Sequence, residues 1–100
     1  MQPAYPPAFT REHGCTEAEW LGWLPGACAP AGLALGAPGQ AQVHLSPGML
    51  WLRWEVLPPR QIALMRMPRM RVHYSFEQVD DGARHAFMRH FDLYMQRGGG

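Results

Sequence analysis

Residues 70–77 read Met70-Arg71-Val72-His73-Tyr74-Ser75-Phe76-Glu77, and residues 49–57 read Met49-Leu50-Trp51-Leu52-Arg53-Trp54-Glu55-Val56-Leu57. A strand sends successive side chains to opposite faces, so both stretches sort cleanly into two sets. Met70, Val72, Tyr74 and Phe76 share one face with Arg71, His73, Ser75 and Glu77 behind them, and Leu50, Leu52, Trp54 and Val56 oppose Trp51, Arg53 and Glu55. One face packed and one left polar is the signature of an antiparallel sheet covered on a single side.

Working outward, Val43 and Leu45 alternate with Gln42 and His44, and Ser46-Pro47-Gly48 turns the chain into Met49, which predicts a hairpin. Pro58-Pro59 is expected to end the second strand, because neither nitrogen can donate to a ladder. Residues 61–67 then form a third strand. A turn at Pro68-Arg69, preferred over one long bent strand across 61–77, would pair Met67 with Met70, Met65 with Val72 and Ala63 with Tyr74.

Two helices flank these strands. Thr16 followed by Glu19 is a capping box, opening a helix from Thr16 to Leu24 that Pro25-Gly26 is expected to stop. Asp80 and Asp81 favour the start of a second helix reaching Gln96, with Phe87, Met88, Phe91, Tyr94 and Met95 as its apolar side. Residues 1–9, rich in proline, are expected to be an extended arm pinned by Tyr5 and Phe9. Residues 27–40 read as a close-packed connecting loop without helical or strand periodicity beyond a short piece at 33–35, and 98–100 as a glycine tail. The expected fold is α+β, a single domain over 1–100: a four-stranded antiparallel meander with a short N-terminal helix and a longer C-terminal helix packed on one sheet face.

Composition narrows the chemistry. The chain has 100 residues, 47% hydrophobic and 17% charged, with a net charge of +1, which suits one small globular domain. All nine basic residues are arginine, and lysine and asparagine are both missing. That excludes a P-loop, a Schiff base, a serine–lysine dyad, N-glycosylation and a Cys–His–Asn nucleophile system. The N-terminal residues do not read as a signal peptide, and no apolar run reaches the ~18–20 residues that span a bilayer. A cytosolic location with Cys15 and Cys28 as reduced thiols is expected, the intervening helix holding them too far apart for a disulfide.

His73, Ser75 and Glu77 share a strand face and supply an imidazole, a hydroxyl and a carboxylate. Their ~6.5–7 Å strand spacing is too wide for a proton relay that needs ~2.6–3.2 Å. No catalytic residue is assigned, and Glu55 reads as part of a surface charge ladder with Arg53 and Arg71. His13 and Cys15 give only H-x-C with a distant Cys28, and His85 and His90 diverge on a helix, so no metal or other cofactor is expected.

The arginines interleave with aromatic residues on the strands, a composition shared by single-stranded nucleic-acid sites and by protein interface hot spots. The net charge falls short of a nucleic-acid footprint. The expected function is therefore a non-catalytic binding module, forming a homo-oligomer or docking another protein partner through the open sheet face. Its candidate residues are Trp51, Arg53, Arg66, Arg69, Arg71 and His73. Phosphate or nucleic-acid binding through Arg66, Arg69 and Arg71 is the alternative, a His/Cys/Met metal site ranks last, and a membrane is not a partner. The opposing structural reading has Trp51 tucked beneath the N-terminal arm, against Tyr5 or Phe9, completing a monomeric core.

Overall fold

The alternation at 49–57 and 70–77 is realised as the two central strands of the sheet in a computed structural model that describes residues 4–97. In chain order the elements are β1 (Ala8–His13), α1 (Glu17–Cys28), β2 (Gly32–Leu35), β3 (Gln40–His44), β4 (Met49–Ile62), β5 (Met65–Glu77) and α2 (Asp81–Gln96). The sheet is antiparallel throughout, ordered β1-β5-β4-β3-β2, so the class is α+β with five strands where four were expected.

Leu50, Leu52, Trp54, Met70, Val72, Tyr74 and Phe76 are buried, as the period-two reading requires. Both helices cover that face: Trp20 of α1 meets the rings of Trp54 and Phe91, Phe91 of α2 meets Tyr74, and Phe87 meets Phe76. Trp20 and Phe91 have no solvent exposure, and truncating either to alanine would cost roughly 3–5 kcal/mol through lost contacts and an unfilled cavity.

Two edge strands, β1 and β2, lie outside the expected meander, and the strand expected at 61–67 is divided between the ends of β4 and β5. β1 pairs with β5 from Ala8 opposite Ser75 to His13 opposite Met70, so the end of the expected arm is sheet. Its inward residues are Phe9, Arg11 and His13, and the two polar ones disguise the alternation. Arg11 reaches Asp92 of α2 through two guanidinium contacts at 2.6 and 3.1 Å, Tyr5 donates its hydroxyl to the same carboxylate at 2.7 Å, and His13 Nε2 lies 2.6 Å from the Tyr74 hydroxyl. Buried Arg84 donates to the carbonyls of Tyr5 and Val79 and to Asp81, fastening the N-terminal segment to α2. Tyr5 does pin this segment; residues 1–3 and the glycine tail at 98–100 lie outside the described residues.

The prolines depart from expectation. The Thr16–Glu19 capping box is formed, but α1 continues through Pro25 to Cys28. Proline removes one helical hydrogen bond, yet Leu24, Ala27 and Cys28 are all buried, and stopping at Pro25 would expose the last two. Gly26 lies against the Tyr94 ring of α2, which would have to shift to admit a Cβ at this position. Pro58-Pro59 does not end β4 either. The register runs Leu57 opposite Arg69, then Arg60 opposite Met67, so three steps on β4 match two on β5: a bulge that absorbs the prolines. The hairpin turns at Ala63-Leu64 and Pro68 lies within β5, which replaces the Met67–Met70 pairing by Ile62–Met65, Gln61–Arg66 and Arg60–Met67.

Candidate functional site

With both helices on one side, the other side of the sheet is uncovered among the described residues. Register places its side chains in rows. Gln42, Trp51, Ser75 and Ala8 form one; Gln40, Arg53, His73 and Thr10 the next; Glu55, Arg71 and Glu12 the third. The first two rows border a cavity of about 360 Å³, with Trp51, Arg53 and His73 on its wall and Gly36 contributing backbone without side-chain bulk. That is the size of a small-ligand or side-chain pocket.

Trp51 remains 40% exposed. Its indole N–H donates to Glu77 of β5, which fixes the ring across the strand pair. Tyr5 and Phe9 contact each other, and Phe9 stacks on Tyr74 at 4.7 Å on the helix-covered side, so neither lies over Trp51. The expectation that Trp51 is tucked under the N-terminal arm is therefore not met among the described residues.

The arginines are not a free cationic stripe. Arg71 bonds Glu55 at 3.2 Å; Arg69 bonds the Pro58 carbonyl and approaches Glu12 at 3.5 Å; Arg60 lies 3.9 Å from the same Glu12. His73 stands between Thr10, 3.0 Å from Nδ1, and Glu55, 3.6 Å from Nε2. Hydrogen bonds from Arg71 and His73 hold the Glu55 carboxyl below its ordinary range. His73 is thus engaged away from Ser75, and Glu77 is engaged by Trp51, so the hydroxyl, imidazole and carboxylate do not form a relay.

Of the six residues singled out from sequence, Trp51, Arg53 and His73 converge on the cavity and Arg71 adjoins it. Arg69 lies further along the same face, and Arg66 does not join them. β5 is unbroken from Met65 to Glu77, so even-numbered Arg66 points to the opposite side from Arg69 and Arg71. Gln40 and Gln42 of β3 and Thr10 and Glu12 of β1 complete the face. The β3 pair is legible from its alternation with Ala41 and Val43, whereas the β1 pair is hidden by the polar inward positions of that strand.

The remaining reactive groups are interior. Cys15 and Cys28 are buried free thiols, and burial pushes Cys28 up to about 12. Among the described residues no three His, Cys, Asp or Glu side chains converge as metal ligands, and no helix is long and apolar enough to cross a membrane. Compared with known proteins, the chain matches no family model and no curated protein.

Proposed function

We propose that this protein is a non-catalytic, cytosolic binding module that docks a protein surface on the uncovered sheet face around Trp51, Arg53, Arg71 and His73. The observation that carries this reading is Trp51: a large aromatic ring, hydrogen-bonded in place and open to solvent beside a cavity, with Arg53 in the next row of the face and Arg71 in the one after. Tryptophan and arginine fixed at the centre of a patch are the residues that dominate interface energetics. The carboxylates of Glu12 and Glu55 on the same face favour a protein over a polyphosphate, because they neutralise Arg60, Arg69 and Arg71 and, with Glu77, repel a phosphodiester backbone. Free interior thiols suit a reducing compartment.

The test is the double variant Trp51→Ala/Arg71→Ala, both at exposed positions, with circular dichroism confirming the fold. Association, measured as self-association of the pure protein and as co-purification of protein partners, is expected to be lost. Unchanged association in a folded double variant would overturn the proposal.

A further inference from the structure

Beyond the body of the sheet, β4 and β5 continue alone. The last β3 partner of β4 is Arg53 and the last β1 partner of β5 is Met70, yet β4 runs on to Ile62 and β5 begins at Met65. The stretch in which both strands lack an outer partner, 57–62 with 65–69, is a two-stranded arm of roughly 17 Å at ~3.3 Å per residue, on a molecule 46 Å in its longest dimension.

The arm has two unlike sides. Directly opposed residues point the same way, and β5 keeps its alternation, so Met65 and Met67 lie on the side continuous with the open face, together with their partners Ile62 and Arg60. The bulge at Pro58-Pro59 is what brings Arg60 and Ile62 to that side, by shifting β4 one residue. Gln61 and Arg66 take the other side. Ile62, Met65 and Met67 are 53, 64 and 45% exposed, and Leu64 at the tip is 99% exposed. A lone two-stranded ribbon has no core in which to bury such side chains.

The arm also differs in charge from the rest of the molecule. Residues 56–69 hold three arginines and no acid, whereas the remainder of the chain holds six arginines against all eight acids. A cationic, apolar arm thus projects from a net acidic body, and two of its arginines, Arg60 and Arg69, already reach Glu12 on the open face of that body. The edges of the arm are blunted by Pro58, Pro59 and Pro68, which disfavours strand addition and leaves the apolar side as its means of contact.

We infer that the apolar side of this arm covers the open sheet face of a second copy of the chain, two arms being exchanged across a two-fold axis. This rests on the open face being a binding surface, as proposed above, and names its occupant. A two-fold axis lying between the faces and perpendicular to the strands sets each arm over the other copy's Trp51 cavity, making one self-complementary patch.

The experiment is sedimentation velocity on the purified full chain over a range of concentrations, with Met67→Glu on the arm, Trp51→Ala on the face, and an equimolar mixture of the two. The wild type is expected to sediment as two chains. Each variant should raise the dissociation constant at least ~10-fold, the scale of a lost hot spot. The mixture should associate several-fold more tightly than either variant alone, because one of its two arm–face contacts is intact. Gln42→Arg, which sets a like charge against the arm, replaces Trp51→Ala if the latter loses its helical signal.

A wild-type monomer, a mixture no tighter than its components, or an association carried by material absorbing at 260 nm that salt removes would each overturn the inference. A monomer that still co-purifies a different protein through Trp51 overturns the second copy alone. A monomer with no Trp51-dependent protein partner overturns the proposed function as well.

Discussion

Acidification provides a sharp test of how β1 is held. The His13 imidazole lies beneath α1 and α2, 5.2 Å from the Trp20 ring by centroid, with the Tyr74 hydroxyl on its Nε2. Burial, assisted by the neighbouring Arg11 charge and only partly offset by Asp92 of α2, lowers its pKa from 6.5 to about 4. The unfolded chain therefore takes up this proton near pH 6.5 and the folded chain only near 4. Between those values the unfolded state binds more protons, so stability is full above pH 6.5 and falls as the pH drops toward 4. The span from 6.5 to about 4 corresponds to about 3 kcal/mol at ~1.4 kcal/mol per pH unit, an upper figure because the ring keeps some contact with water. Urea unfolding followed by tryptophan fluorescence at pH 7, 5.5 and 4 measures it, and His13→Gln removes the titration while retaining a hydrogen-bonding side chain. Contributions common to the two proteins cancel in the difference. The wild type should lose about 2–3 kcal/mol relative to the variant across this window; parallel profiles would refute the reasoning.

Three further outcomes follow from the interior. Arg84→Ala leaves the carbonyls of Tyr5 and Val79 without their donor and should cost about 2–4 kcal/mol in urea unfolding, with amide exchange at Tyr5 and Ala8 accelerated. Gly48 has φ +99°, and a Cβ there would collide with the Glu77 and Gln78 carbonyls, so Gly48→Ala should lower stability by more than ~1 kcal/mol. Cys28, buried and with its pKa raised to about 12, should react with an aromatic disulfide reagent only on unfolding, at a rate that urea increases steeply.

The residues that were readable from sequence are those whose local signal and tertiary role coincide. Trp54, Val72 and Tyr74 alternate with polar neighbours and pack where that alternation sends them, and Thr16 and Glu19 cap a helix as their spacing indicates. Where the two conflict, packing wins. Pro25 is a local stop signal overruled by the burial of Ala27 and Cys28, while Arg11 and His13 are polar residues turned inward because Asp92 and Tyr74, distant in sequence, wait for them. Pro58-Pro59 marks a real break in the ladder, but a one-residue bulge is cheaper than ending the hairpin there. The bulge also determines which side chains join the open face, which is why the arm could not be resolved from periodicity alone. The Trp51, Arg53 and His73 cluster was legible because adjacent strands of a meander keep their parity; the exclusion of Arg66 follows only once β5 is known to be continuous.

The central claim, that the uncovered sheet face is the binding surface, is tested most directly by a photo-reactive amino acid placed at Gln42, beside Trp51. The control position is Gly22 on exposed α1, which has open space around it. Irradiation of the intact chain in cells should join Gln42, and not Gly22, to a protein. A band of two 11.3 kDa chains should dominate, and Trp51→Ala/Arg71→Ala should abolish it. Equal yields at the two positions, or a Gln42 adduct with nucleic acid alone, would contradict the account.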